Sequence, residues 1–202
     1  MLKQLNQITG KEYENYRWFF TSNNVLVVGG KSDDQNEIVL KNFGKPEYIV
    51  LHTTKPGSPF MIIQSEKPSK KDIEEAAIFT GCFSQQWKDS NTKNNIDIDI
   101  FKGRDIYKTK LMKLGTFGVK NKEKIIKIKP ELVLVIQKGK LRAVPKIKSK
   151  REEQVLLEIK PGNLNKEQAA EKIAKIIRDK FHFPISRQEI MSAIPSDKIG
   201  VK

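Results

Sequence analysis

Arg17-Trp18-Phe19-Phe20-Thr21-Ser22-Asn23-Asn24-Val25-Leu26-Val27-Val28-Gly29-Gly30-Lys31-Ser32-Asp33-Asp34-Gln35-Asn36-Glu37 is the stretch that decides the fold. The aromatic and β-branched runs at 18–20 and 25–28 have the composition of buried strands. Ser22-Asn23-Asn24 between them predicts a tight hairpin turn, because Asn tolerates the left-handed backbone such a turn needs. Gly29-Gly30 lets the chain turn sharply. Ser32 and Gln35 read as a capping box for a helix that runs to about Phe43 and stops at Gly44. Gly30-Lys31-Ser32 ends like a phosphate-binding P-loop, but that motif requires a glycine where Val25 stands, inside the strand. The pair therefore reads as a strand-to-helix turn whose N–H groups and Lys31 remain available to a phosphate. Asp33 and Asp34 already satisfy the dipole of the same first turn.

Charge is the most informative feature outside this stretch. The 202-residue chain carries 38 Lys/Arg against 24 Asp/Glu, a net of +14. Residues 101–151 hold 17 of those cations and three acids (Asp105, Glu123, Glu131), which is the whole excess. A surface of that sign attracts polyanions, with an affinity that falls steeply with salt. The single cysteine, Cys82, forbids an internal disulfide or an all-cysteine zinc site and reads as a buried thiol on a helix. No run is long enough to span a membrane, and the N-terminus lacks a signal-peptide apolar core, so a cytoplasmic protein without membrane partners is expected. No cofactor motif is present.

Outward from the opening stretch, Tyr48-Ile49-Val50-Leu51 and Phe60-Met61-Ile62-Ile63 read as strands joined by a Thr/Pro/Gly/Ser loop. Glu37 and Lys41 read as an i,i+4 pair. Ser69 and Asp72 form a capping box for a helix over 69–84, whose apolar face continues to Trp87. Ile96, Ile98 and Ile100 alternate with Asp97 and Asp99 as in a half-buried strand with a solvated acidic face. Lys124, Lys127 and Lys129 interleave with isoleucines and are expected to project to one face. Residues 132–136 read as a buried strand. Beyond them, 141–148 and 154–159 read as two strands around a basic hairpin tip. They are followed by a helix capped by Asn165 and a short helix capped by Ser186. The fold class is α+β: a mixed or largely antiparallel sheet with a few packed helices, then a small C-terminal ββα module.

Four motifs in order carry a resemblance. They are Trp18-Phe19 with Leu26-Val27-Val28-Gly29-Gly30-Lys31, then Leu51-His52-Thr53-Thr54-Lys55-Pro56-Gly57-Ser58, then Ile73-Glu74-Glu75-Ala76-Ala77 through Phe83-Ser84, and Leu114-Gly115-Thr116-Phe117-Gly118. Together, over roughly residues 13–136, they resemble the NFACT-R domain of the family containing the ribosome quality-control factors NEMF and RqcH. One departure is Lys31-Ser32-Asp33, where the family usually has Arg/Lys-Asp-Ala. The resemblance implies an RNA-binding domain at 1–136, with 137–202 a basic extension beyond the family match. It further implies a stand-alone form without the family's N-terminal domain and coiled coil. The implied partner is tRNA or rRNA, with the ribosome itself as the setting, in quality control or tRNA modification.

The expected role is non-catalytic binding of structured RNA. Candidate contacts are Lys31, His52 and Lys55 around the strand ends. Arg104, Lys108, Lys110, Lys113, Lys120 and Lys122 come from the basic quarter, and Lys148, Lys150 and Arg151 from the hairpin tip. Tyr107 and Phe117 lie among these cations, the combination that phosphate contact with base stacking requires. Two alternatives stand beside this reading. One is a metal-dependent RNA-processing or RNA-modifying enzyme subunit using Asp33, Asp34, Glu37 and His52. The other is a basic adaptor that docks an acidic protein.

Overall fold

The first two strands, β1 (Arg17–Phe20) and β2 (Leu26–Gly29), pair antiparallel with Trp18 opposite Val28. Their turn closes through Asn24, whose φ of 57° is left-handed, as its composition requires. The computed structural model describes residues 12–89, 95–147 and 153–202. The basic tip carrying Lys148, Lys150 and Arg151 lies outside the described residues.

Gly29 and Gly30 serve packing rather than dihedral freedom. Neither has positive φ. A Cβ on Gly29 would lie 2.9 Å from the Phe60 carbonyl oxygen, and one on Gly30 would lie 2.5 Å from Asn36 Oδ1 and 2.7 Å from its backbone nitrogen. Gly29 lets β2 pack closely on Phe60 and Met61, and Gly30 lets the turn lie tight against the start of the next helix. That helix, α1 (Asp33–Phe43), is capped by Ser32, whose hydroxyl accepts from the Gln35 backbone N–H. The reciprocal half of the box shifts by one residue: Gln35 Oε1 accepts from Lys31 N–H at 3.0 Å.

The chain then forms β3 (Ile49–Thr53), β4 (Met61–Ile63), α2 (Lys70–Cys82) and β5 (Ile96–Lys102). Two short strands follow, β6 (Ile106–Tyr107) and β7 (Gly118–Val119), and then β8 (Lys124–Ile128). The main sheet has six strands in the order β1-β2-β4-β3-β5-β8, with every pair antiparallel. One face, with Phe19, Val27, Leu51, Ile63 and Ile98, packs on Ala76, Ala77 and Phe79 of α2. The other, with Val28, Val50, Ile62 and Phe101, packs on Val39 and Phe43 of α1. The Ser69–Asp72 capping box of α2 is complete. Cys82 is buried, and burial pushes its thiol well up.

A second sheet contains β9 (Leu132–Gln137), β10 (Lys140–Pro145), β11 (Leu157–Leu164) and β12 (Ile199–Val201), in the order β10-β9-β11-β12. The helices α3 (Lys166–Phe181) and α4 (Arg187–Ala193) lie between its last two strands in sequence. Lys138 and Gly139, at φ 51° and 75°, make the two-residue turn between β9 and β10. The sheet therefore begins at Leu132, ahead of the boundary expected at 136–137. The expected hairpin of 141–148 with 154–159 is not formed, because β11 pairs with β9, on the side away from β10. The segment is thus larger than a ββα unit. Asn165 caps α3 with Gln168, and Ala169, Ala170, Ile173 and Ile177 are its buried stripe.

The two sheets share one apolar cluster through α2. Gln137, the last residue of β9, joins the second sheet to the edge strand β1 of the first. Its side chain accepts from Phe20 N–H at 2.9 Å and donates to Phe20 C=O at 2.8 Å, extending the open edge of β1 by one amide. No helix among the described residues is long and apolar enough to cross a membrane.

Candidate nucleic-acid interface

Residues 103–122 fold over the α1 face of the main sheet as a short hairpin. The 3-10 turn Gly103–Asp105 leads into β6, and β7 returns antiparallel to it. Phe117 roots the return limb: its ring meets Phe60 edge-on at 5.4 Å, and Lys108 Nζ sits 4.8 Å over it. The loop between the strands is tied to α1. Glu37 pairs with Lys108 and accepts from Gly115 N–H at 2.9 Å. These bonds hold the Glu37 carboxyl below its ordinary range, the Lys108 hydrogen bond being the largest influence. Gly115 has φ 71°, and a Cβ there would strike Asp33, so the loop crosses the start of α1 in close contact.

This anchoring sorts the cations. Arg104 and Lys102 both pair with Glu47, Lys108 with Glu37, and Lys122 with Asp99 at 2.5 Å. The Glu37–Lys41 pair expected along α1 is replaced by the Glu37–Lys108 pair. Lys110, Lys113 and Lys120 are exposed and pair with no carboxylate among the described residues. At the tip Leu111 is 97% exposed and Leu114 56%, two apolar side chains standing among free lysines. Beneath the hairpin, a cleft of about 470 Å³ has Leu40, Ile106 and Phe117 among its walls and Lys41, Lys45, Arg104 and Lys108 on its rim.

His52 and Lys55 lie beyond the hairpin's root. His52 stacks on Phe60 at 4.6 Å and holds Nδ1 2.7 Å from the Thr53 carbonyl, which places the proton on Nδ1. Burial lowers its pKa, against the pull of neighbouring Asp99. Asp99 lies opposite His52 in the β3–β5 ladder and is buried, accepting from the Thr54 hydroxyl at 2.7 Å. The acidic face expected on β5 is therefore not simply solvated. Lys55 is exposed on the loop after β3 and pairs with no described carboxylate. Among the described residues no three His, Cys, Asp or Glu side chains converge to hold a metal ion, so Asp33, Asp34, Glu37 and His52 do not form such a set.

On β8 the lysines do not share a face. Lys127 lies opposite Asp97, on the side of Asp99, whereas Lys124 lies opposite Ile100, on the α2 side. Two adjacent isoleucines, Ile125 and Ile126, break the alternation that would have kept them together.

Lys31 lies apart from the hairpin, in a group that sequence reading did not assemble. Its Nζ donates to Asn15 C=O at 2.8 Å, and it is within electrostatic range of Arg17, Arg142 and Lys166. Burial, then Arg142, pushes Arg17 down to about 10, and burial pushes Arg142 down to about 10 against Glu189 and Glu14. Arg17 is in the opening stretch, but nothing local in the sequence pairs it with residues more than a hundred positions away.

The main sheet and its helices are thus an antiparallel α+β arrangement that carries an anchored basic hairpin. Residues 15–121, more than half of the chain, match the NFACT protein RNA binding domain, and the chain belongs to that family. It is similar to the archaeal Rqc2 homolog aRqcH of Methanocaldococcus jannaschii, 29% identical over an alignment of 197 residues that covers 92% of this chain and 28% of that protein. That coverage takes in most of 137–202. The ribosome quality control complex subunit NEMF homolog of Drosophila melanogaster is 33% identical over 78 residues, 37% of this chain and 8% of that protein. This chain therefore spans well under a third of either relative. The solved C-terminal part of the fibronectin/fibrinogen-binding protein from Streptococcus suis has a similar fold, with a TM-score of 0.52 at 17% identity over 64% of this chain and 51% of that one.

Proposed function

We propose that this protein binds structured RNA of the tRNA or rRNA class, without catalysis, in ribosome-associated quality control. The observation that carries the reading is the division of labour among the hairpin cations. Lys108 and Lys122 are bound to Glu37 and Asp99 and hold the hairpin, while Lys110, Lys113 and Lys120 pair with no carboxylate among the described residues and can meet phosphates. Few aromatics are exposed beside them, so the contacts would follow backbone shape rather than base identity. Membership of an RNA-binding family and similarity to quality-control factors support the same partner. His52 acts in this reading by seating Phe60, not as a contact.

The test compares tRNA, unstructured RNA and duplex DNA of matched phosphate count, each at low and near-physiological salt. A tRNA advantage that persists at the higher salt supports shape recognition. Equal decay of all three sinks it and leaves only a basic surface. A second reading, docking of an acidic protein, is favoured by exposed Leu111 and Leu114. Association that survives RNase treatment and is lost in Leu111→Ser would establish it.

A further inference from the structure

The cleft beneath the basic hairpin is walled by apolar groups that the folded core leaves open. Ile38 on α1 and Tyr107 on β6 both line it, and they are 42% and 40% exposed. The Tyr107 ring has a fixed seat. It lies over Gly118 of β7, where a Cβ would strike the ring, so part of the ring rests on backbone while the rest borders the cleft. Lys41, Lys45, Arg104 and Lys108 surround the opening, and Glu37 is the one carboxylate among the described residues that line it. Glu37 is taken by Lys108 and Arg104 by Glu47, while Lys45 Nζ lies 5.0 Å from the Tyr48 ring centroid. Lys41, one turn along α1 from Glu37, is exposed and pairs with no carboxylate among the described residues, because Glu37 is turned to the hairpin.

An apolar cleft of about 470 Å³ with an aromatic wall and a cationic rim fits a flat heteroaromatic ring that carries an anion. Such a ring would cover the open surface of Tyr107 and of Ile38, and its attached phosphate would meet Lys41. An acidic side chain would answer Lys41 alone and leave the apolar walls wet. We propose that the cleft takes one unstacked nucleobase of bound RNA, packed on Tyr107 and Ile38, with the adjoining phosphate on Lys41. This rests on the RNA-binding reading for the source of the base, though a free nucleotide has the same chemistry. Every base has a stacking face, so the site adds grip without reading sequence.

The experiment uses the whole protein and an RNA stem-loop from which the base is removed at one loop position at a time, leaving every phosphate in place. Wild type is expected to lose roughly tenfold in affinity at one of these positions. Tyr107→Leu should bind the intact RNA about tenfold more weakly and be indifferent to loss of that base, whereas Tyr107→Phe, which keeps the ring, should still discriminate. Lys41→Gln should make the salt slope shallower by about 1. The abasic series on wild type requires no variant, so it decides even where Tyr107→Leu fails to fold. Equal binding of wild type to every abasic RNA, or discrimination by Tyr107→Leu equal to that of wild type, overturns the site and leaves the RNA-binding reading intact. An unchanged salt slope in Lys41→Gln overturns the phosphate contact. If wild type binds no stem-loop, the RNA-binding reading fails and AMP decides the cleft. A gain in melting temperature from AMP that Tyr107→Leu lacks keeps it as a site for a free nucleotide, and no gain overturns it. Binding of a polyglutamate peptide that Tyr107→Leu abolishes would give the cleft to an acidic protein instead.

Discussion

Glu37 on α1 and Lys108 on the basic hairpin, 71 residues apart, form an ion pair whose carboxylate also accepts the Gly115 N–H. One acid thus restrains both limbs of the loop that carries Lys110 and Lys113. Glu37→Ala should therefore raise hydrogen exchange at 108–117 while costing only about 1 kcal/mol overall, since both partners are partly exposed. RNA affinity should fall although a negative charge has been removed. A rise in affinity would mean that charge, not placement of the loop, governs binding.

His52 should make the fold acid-sensitive in a narrow window. Burial leads the causes that lower its pKa below 6.5, so the unfolded chain takes up this proton at a higher pH than the folded protein does. Stability is then lost as pH falls through 6.5 and levels off below the folded value. His52→Gln should flatten that part of a stability–pH curve measured by urea unfolding. An unchanged slope would place the acid sensitivity elsewhere.

Asp72 should matter at neutral pH and less in acid. Burial raises its pKa, but hydrogen bonds from Thr21, Ser69 and Asn23 outweigh this and leave it below 3.8. The Thr21 bond, at 2.6 Å, ties the first hairpin to the start of α2. A lowered carboxyl contributes stability in full above 3.8, and that contribution is lost as pH falls through the folded value. Asp72→Asn should cost roughly 1–3 kcal/mol at pH 7. The gap from wild type should close as the pH is taken below 3.8.

Gly30→Ala should destabilise by roughly 1–3 kcal/mol through overpacking, lowering the melting temperature by several degrees. The obstructing atoms belong to Asn36, including its backbone nitrogen, and cannot swing away. Asn36 Oδ1 also faces Phe60 N–H at 3.4 Å, at the entry to β4. An unchanged melting temperature would show that α1 can shift to make room.

Much of the local architecture was legible. The turn at Asn24, the caps at Ser32, Ser69 and Asn165, and the buried stripe of α3 all follow from chemistry within a few residues. The glycine pair was legible as important but not as a packing device, because its neighbours Met61 and Asn36 come from other elements. The alternation in β5 gave the strand, yet could not reveal that Asp99 is covered by Thr54 and Lys122. The second sheet was the least legible part. Adjacent strands in sequence usually pair, and here β11 passes over β10 to join β9.

What the sequence by itself determined was the class of each element and the sign of the surface: α+β, with an excess of cations confined to one quarter of the chain. Backbone preferences, caps and summed charge are local or additive, so they can be read along a line. Only the tertiary structure decided which cations are free. Glu47, Glu37, Asp99 and Glu14, all outside that quarter, fold back to bind Arg104, Lys108, Lys122 and Lys140. Charge interactions decay with distance in space, and sheet order sets that distance.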